Sequence, residues 1–285
     1  MTKAPNADQA EFWSDGAGLD WVTFENQLDA LFAGANAALI DTAQPKSGQS
    51  ILDIGCGTGA TTRDFAQAVG PDGSVLGLDI SNSMLAQART SAAAQGLTNA
   101  SFTCADAQTS PLDAARYNHI VSRFGVMFFA DPVAAFTNLY SSLATGGQLT
   151  MACWGPFKEN PWFTIPRRIA TDLLGSPPSV DPRDPGPFAF ADADYVLEIL
   201  TNAGFTAPSV ITQDIPLVLP GDAENAAELS SYIGPANSVI RAQDGTASDK
   251  ANIVAATKTK LQAFEINGTV TVPAKIHIYT AHKPA

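Results

Sequence analysis

The segment that most restricts this chain is Asp53-Ile54-Gly55-Cys56-Gly57-Thr58-Gly59. It closes the apolar run Ser50–Ile54, which reads as a strand. It leads into Ala60–Val69, where Phe65 and Val69 stand four apart, as on one helix face. Glycines in such a turn allow positive φ and let the backbone approach a ligand with no Cβ in the way. The helix behind them offers free N–H groups and the positive end of its dipole, which suit an anion. Asp53 suits a cation, reached directly or through water. The spacing is G-x-G-x-G, whereas a dinucleotide loop uses G-x-G-x-x-G for pyrophosphate. An acid two residues before the first glycine would not welcome pyrophosphate.

The pattern repeats downstream. Ser74–Asp79 reads as a second strand, Ser83–Gln95 as an Ala-rich helix ended by Gly96, and Ala100–Cys104 as a third strand. His119–Phe124 reads as a fourth strand. Asp131-Pro132 supplies an N-cap and first-turn proline for the next helix, and Gln148–Cys153 follows the Gly146-Gly147 turn as a fifth strand. Strands alternating with helices imply a parallel α/β sheet with helices on both faces.

The flanks divide the chain further. Residues 1–49 read as a helical, peripheral arm, with Leu28, Leu31, Phe32 and Ala35 on one face. Trp13 and Trp21 either pack this arm down or cover the bound ligands. Residues 50–154 form the core. Residues 155–190 hold eight prolines, with one helix near Trp162–Leu174, and read as a cap insertion. Residues 191–219 return to the core as a helix and a strand, 220–265 form a second, helical cap insertion, and 266–285 supply a last strand.

Ligands in open parallel sheets bind at the carboxyl ends of the strands. Asp79 ends the second strand, where a carboxylate can accept hydrogen bonds from ribose hydroxyls. Asp106 follows the third strand; it either accepts from an adenine amino group or caps a turn. Ser122-Arg123-Phe124-Gly125 ends the fourth. Ile51–Thr62, Val75–Met84, Ala105–Gln108 and Val121–Pro132 together resemble the motifs of class I S-adenosylmethionine-dependent methyltransferases. The likeness is greatest to the ubiquinone/menaquinone-biosynthesis type and its small-molecule relatives. That resemblance implies a Rossmann-like, seven-stranded, mostly parallel sheet with an antiparallel final strand and an inserted helical cap. It implies that Asp53, Gly55, Gly57 and Gly59 hold the amino-acid end of S-adenosylmethionine, Asp79 and Ile80 the ribose and one adenine face, Asp106 and Ala107 the adenine edge, and Ser122 the methionine side. Met84 either touches the adenine or packs its helix, and Cys56 fills the loop.

The acceptor is less legible. Arg123 either orients it or pairs with a carboxylate, and Trp154 and Trp162 either wall its pocket or pack the cap. Tyr117, His119, Asp131 and Arg123 are the weak candidates for a base, and no His–Asp pair stands out. This favours an acceptor that is already acidic, such as a thiol, an activated phenol or an enolic carbon.

The chain carries 28 acidic and 16 basic side chains, a net charge of −12, which repels phosphate backbones and argues against a nucleic-acid substrate. Three scattered cysteines and three scattered histidines give no metal-ligand spacing. No run approaches the ~20 apolar residues of a bilayer span, and MTKAPNADQAEF lacks a secretory core, so a soluble cytoplasmic protein is expected. The expectation is a methyltransferase acting on a small molecule. The alternatives are an NAD-dependent oxidoreductase and a non-catalytic S-adenosylmethionine-binding module.

Overall fold

The computed structural model describes residues 4–219 and 221–285. The first three residues of the N-terminal arm and the first residue of the second cap insertion lie outside the described residues. The arm forms four helices, α1 (Ala7–Ser14), α2 (Gly16–Thr23), α3 (Glu25–Leu31) and α4 (Ala33–Ala43). The core follows as β1 (Ser50–Ile54), α5 (Ala60–Val69), β2 (Ser74–Asp79), α6 (Asn82–Ala94), β3 (Ala100–Cys104), β4 (Tyr117–Arg123), α7 (Pro132–Ser142) and β5 (Leu143–Trp154). Then come α8 (Pro161–Leu174), α9 (Ala193–Asn202), β6 (Thr206–Leu219), α10 (Ala223–Tyr232), α11 (Pro235–Ala242), α12 (Ala247–Leu261), β7 (Glu265–Ile266) and β8 (Thr269–His282).

The sheet order is β3-β2-β1-β4-β5-β8-β6, with the two-residue β7 paired to β8. Neighbours from β3 to β5 are parallel, and β8 runs antiparallel between β5 and β6. The expected seven strands are therefore present, and β7 makes an eighth. Two of the first five strands begin earlier than expected: β4 at Tyr117 rather than His119, and β5 at Leu143 rather than Gln148. Tyr117 pairs with Leu143 before a register shift, so a tertiary pairing recruits residues whose local sequence reads as a turn.

Capping sets the helix starts. The Ser81 hydroxyl accepts from Met84 N at the start of α6, Asp131 from Ala134 N at α7, and Asp192 from Tyr195 N at α9. Thr246 and Asp249 form a capping box on α12.

The second half of the arm, α3 and α4, is not peripheral, whereas α1 and α2 bury almost nothing. Leu28, Leu31, Ala35 and Leu39 are at most 1% exposed and belong to the main core. Asn36 on α4 accepts from Thr61 Oγ1 and donates to Asp64, docking α4 beside α5. Half-polar composition hid this, because Asn36 and Glu25 are buried through partners that lie far away in sequence. Arg63 on α5 meets Glu25 at 3.4 Å and Asp29 at 2.7 Å, and donates to Thr58 O at 2.7 Å. One guanidinium thus ties the arm to the glycine loop.

Candidate functional site

The five strands β1 to β5 end on one side of the sheet, where Ile54, Asp79, Ala105, Arg123 and Trp154 all line a cavity of about 1050 Å³. Ligand pockets typically span about 300–1,000 Å³, so this one has room for a cofactor and a second molecule.

The glycine loop is built by close backbone contact. Gly55 has φ +64°, and a Cβ there would lie 2.6 Å from Gly125 Cα. The loops after β1 and β4 touch through their glycines, and Ser122 holds them by donating to Ile54 O and accepting from Gly125 N. Gly57 also has positive φ, +56°. Helix α5 opens behind the loop with no side-chain cap from Gly59, which leaves the N–H groups ahead of Thr62 available to an anion, while that of Thr62 faces Asp53. Asp79 lines the cavity from β2; its Oδ2 accepts from Gly57 N and its Oδ1 from Ser81 N. Each carboxylate oxygen keeps a further lone pair for a ligand hydroxyl. Burial raises the Asp79 carboxyl above the usual aspartate range.

Of the residues expected at the cofactor, Gly55, Cys56, Gly57, Asp79, Ile80, Met84, Asp106 and Ala107 line the cavity. Asp53, Gly59 and Ser122 do not. Asp53 is fully buried behind the loop, where its Oδ2 accepts from Thr62 Oγ1 at 2.6 Å and its Oδ1 has no partner. Burial pushes this carboxyl up to about 7. Gly59 serves packing: a Cβ would lie 2.9 Å from Ala88 and 3.0 Å from Phe102. Asp106 is already engaged. Its two oxygens accept from the Asn6 amide, from Gln108 N and from Thr109 Oγ1. The Asn6 Nδ2 group is an NH₂ donor, the same kind of donor as an adenine amino group. The arm thus reaches the adenine end of the expected site, and Trp13 packs edge-on to Phe128 at 5.1 Å.

Three of the four candidate bases lie outside the cavity. Tyr117 and His119 sit toward the opposite end of β4. His119 is buried against Thr150 Oγ1, and burial lowers it to about 4, so it is neutral. Asp131 caps α7. Only Arg123 lines the cavity. Trp154 lines it too, whereas Trp162 is buried away from it.

Sequence reasoning placed Phe124 at the ligand end of the fourth strand but gave its ring no role. Its φ is +63°, unusual for a bulky residue. This backbone lays its ring on Trp154, centroids 4.1 Å apart and planes within 5°. Phe157, Phe163 and Phe188 extend that wall into the first insertion, and residues of α10 and α11 close the far side. Among the described lining residues there is no histidine and no lysine. No group of three His, Cys, Asp or Glu among the described residues could hold a metal ion.

Comparison with known proteins agrees with this geometry. Residues 51–147 match the family described as "Methyltransferase domain". The chain is 35% identical over 127 residues to aklanonic acid methyltransferase DauC of Streptomyces sp. (strain C5), which covers 45% of this chain and 58% of that protein. It is 27% identical over 193 residues to nocamycin O-methyltransferase of Saccharothrix syringae, covering 64% and 68%. It is 35% identical over 105 residues to the ubiquinone/menaquinone biosynthesis C-methyltransferase UbiE of Marinomonas sp. (strain MWYL1), covering 36% and 42%. The chain thus spans less than two thirds of the first of these relatives. The fold is also that of phosphoethanolamine N-methyltransferase 2 of Haemonchus contortus, solved with S-adenosyl-L-methionine. The TM-score is 0.58 at 18% identity, covering all of this chain and 61% of that one.

Proposed function

With a methyltransferase domain over residues 51–147 as premise, we propose that the protein transfers a methyl group from S-adenosylmethionine to a small-molecule acceptor and releases S-adenosylhomocysteine. The observation that carries this reading is the convergence of the glycine loop, Asp79 and Asp106 on one cavity with space for two molecules. The residues fit the cofactor. The uncapped start of α5 takes its carboxylate, and the spare lone pairs of Asp79 take the ribose hydroxyls. Ile80 and Met84 flank the adenine, and Asp106 takes the adenine amino group in exchange for the Asn6 amide. Asp53, buried behind the loop, would supply negative charge for the ammonium group in its ionised form, which burial confines to pH above about 7 when no ligand is bound.

When bound, S-adenosylmethionine supplies an electrophilic methyl on a sulfonium. The chain's own task is then alignment and exclusion of water. Holding two reactants at attack geometry can contribute ~7–11 kcal/mol, and the arm and the two insertions close the cavity for that purpose. Among the described lining residues there is no histidine or lysine to act as a base, which favours an acceptor atom that is acidic by itself: a thiol, a phenol or an activated carbon. The relatives named as an aklanonic acid methyltransferase and a nocamycin O-methyltransferase support a small-molecule acceptor.

An NAD-dependent reaction is disfavoured, because the G-x-G-x-G spacing is not the G-x-G-x-x-G of a pyrophosphate loop. No helix among the described residues is long and apolar enough to cross a membrane. The three free cysteines suit a reducing compartment, and we assign the protein to the cytoplasm.

The test is calorimetric binding of S-adenosylmethionine, followed by S-adenosylhomocysteine release against thiols, phenols, quinols and aromatic acids. Binding with acceptor-dependent release is expected. Binding without release from any acceptor would favour a non-catalytic binding module, and no binding would overturn the cofactor assignment.

A further inference from the structure

The acceptor half of the cavity has its own chemistry. Its wall is a continuous run of aromatic rings. Phe32 packs edge-on to Phe124 at 5.5 Å, and Phe124 stacks on Trp154. Phe163 meets Trp154 edge-on at 4.8 Å, Phe188 meets Phe163 at 5.2 Å, and Phe157 meets Phe188 at 5.0 Å. Such rings present flat faces and edges to a flat guest.

A guanidinium stands at each end of the run. The Arg123 Cζ lies 5.7 Å from the Phe32 centroid, and the Arg167 Cζ 5.9 Å from that of Phe157. Both line the cavity and both are partly buried. Neither has an ion pair or hydrogen bond among the described residues, whereas Arg63, Arg116, Arg168 and Arg183 all pair with carboxylates. This occurs in a chain whose acids outnumber its bases 28 to 16. The two arginines differ in setting. Arg123 feels the nearby charges of Asp29, Asp53 and Asp64, and stands at the end of β4 beside the glycine loop. Arg167 stands on α8 in the first insertion. A third lining arginine, Arg241, is exposed and faces the arm, 3.0 Å from where a Gly16 Cβ would lie. The lining acids of this half, Asp181 and Asp184, are exposed and accept from their own loop's amides.

We propose that the acceptor is a planar aromatic carboxylic acid whose rings lie along the Phe124–Trp154–Phe163–Phe188 wall and whose carboxylate is held by Arg167. A guanidinium presents a planar fork of N–H donors that matches a carboxylate bidentately. Arg167 is then a specificity-determining residue, placed away from the cofactor loop so that the opposite end of the acceptor faces the transferable methyl. The inference rests on the transferase reading for what happens to the acceptor, but its binding part does not require turnover.

The test uses anthraquinone-2-carboxylate and anthraquinone-2-carboxamide, titrated against intrinsic tryptophan fluorescence with and without S-adenosylhomocysteine. The wild type is expected to bind the acid at least tenfold more tightly than the amide. Arg167→Met should remove that preference while leaving the amide affinity and the S-adenosylhomocysteine affinity unchanged, and Arg167→Lys should retain part of it. Equal affinity for acid and amide in the wild type would overturn the proposal. So would a preference that survives Arg167→Met, or one lost only in Arg123→Met. Failure to bind S-adenosylhomocysteine would strike the transferase reading instead, and the acid-against-amide comparison would still decide this one.

Discussion

Asp79 Oδ2 accepts the backbone N–H of Gly57 at 2.7 Å, which joins the end of β2 to the glycine loop 22 residues earlier. Its other oxygen accepts from Ser81 N at 2.9 Å. One carboxylate therefore shapes the loop and faces the cavity at once. Asp79→Ala removes both backbone acceptors and the proposed ribose contact. Affinity for S-adenosylmethionine is expected to fall at least tenfold by calorimetry. An unchanged affinity would remove Asp79 from the cofactor site.

Gly55 and Gly57 should respond differently to alanine. Both have positive φ, which costs an L side chain about 1–2 kcal/mol. At Gly57 the new methyl would rest 3.8 Å from Met84 Sδ, an ordinary contact. At Gly55 it would meet the Gly125 backbone at 2.6 Å. Gly55→Ala should lose roughly a further 1–3 kcal/mol in denaturant unfolding. Equal losses in the two variants would mean that the two loops separate freely.

Asp53 predicts a pH dependence. Burial holds its carboxyl at about 7 in the folded chain, against about 3.9 in an unfolded one. Between those values the folded state binds the extra proton. The stability this confers is full below about pH 4 and is lost as pH rises through about 7. Without ligand, the wild type should lose a few kcal/mol, on the order of 4, across that window. Asp53→Asn should flatten the decline. Parallel pH profiles for the two proteins would place the titration elsewhere.

Arg63 should prove more than a surface pairing. Its partners Glu25 and Asp29 have side chains 10% and 26% exposed, and Gln87 and Ser91 also bond to Glu25. Arg63→Met leaves these charges uncompensated and is expected to cost about 3–5 kcal/mol. Adding Glu25→Gln and Asp29→Asn should recover much of that loss in thermal unfolding. No recovery would assign the cost to lost packing of the guanidinium.

The first five strands and the glycine loop were legible because their signals are local. Apolar runs, turn glycines and caps such as Ser81 and Asp131 act within a few residues of where they stand. Asp79 was legible for the same reason, as an acid at a strand end. Gly125 carried a sequence signal as well, since it follows β4 within Ser122-Arg123-Phe124-Gly125. Its contact with Gly55, however, depends on β1 and β4 lying side by side.

Other features had no local signal. Asn6 reads as a polar residue near a terminus, yet its amide sits on Asp106, one hundred positions away. Asp53 looks like a ligand-facing acid, yet its side chain turns into the core toward Thr62. Tyr117 and His119 are attractive bases until the strand direction carries them away from the cavity.

The sequence alone determined the α/β core, the position of the cofactor loop and the acid that closes it, because periodicity and glycine conformation are properties of neighbouring residues. Only the tertiary structure decided that α3 and α4 belong to the core, that β8 enters between β5 and β6, and that rings from Phe32 to Phe188 meet in one wall. Those outcomes depend on which surfaces remain to be buried once the local elements exist, and that competition involves the whole chain.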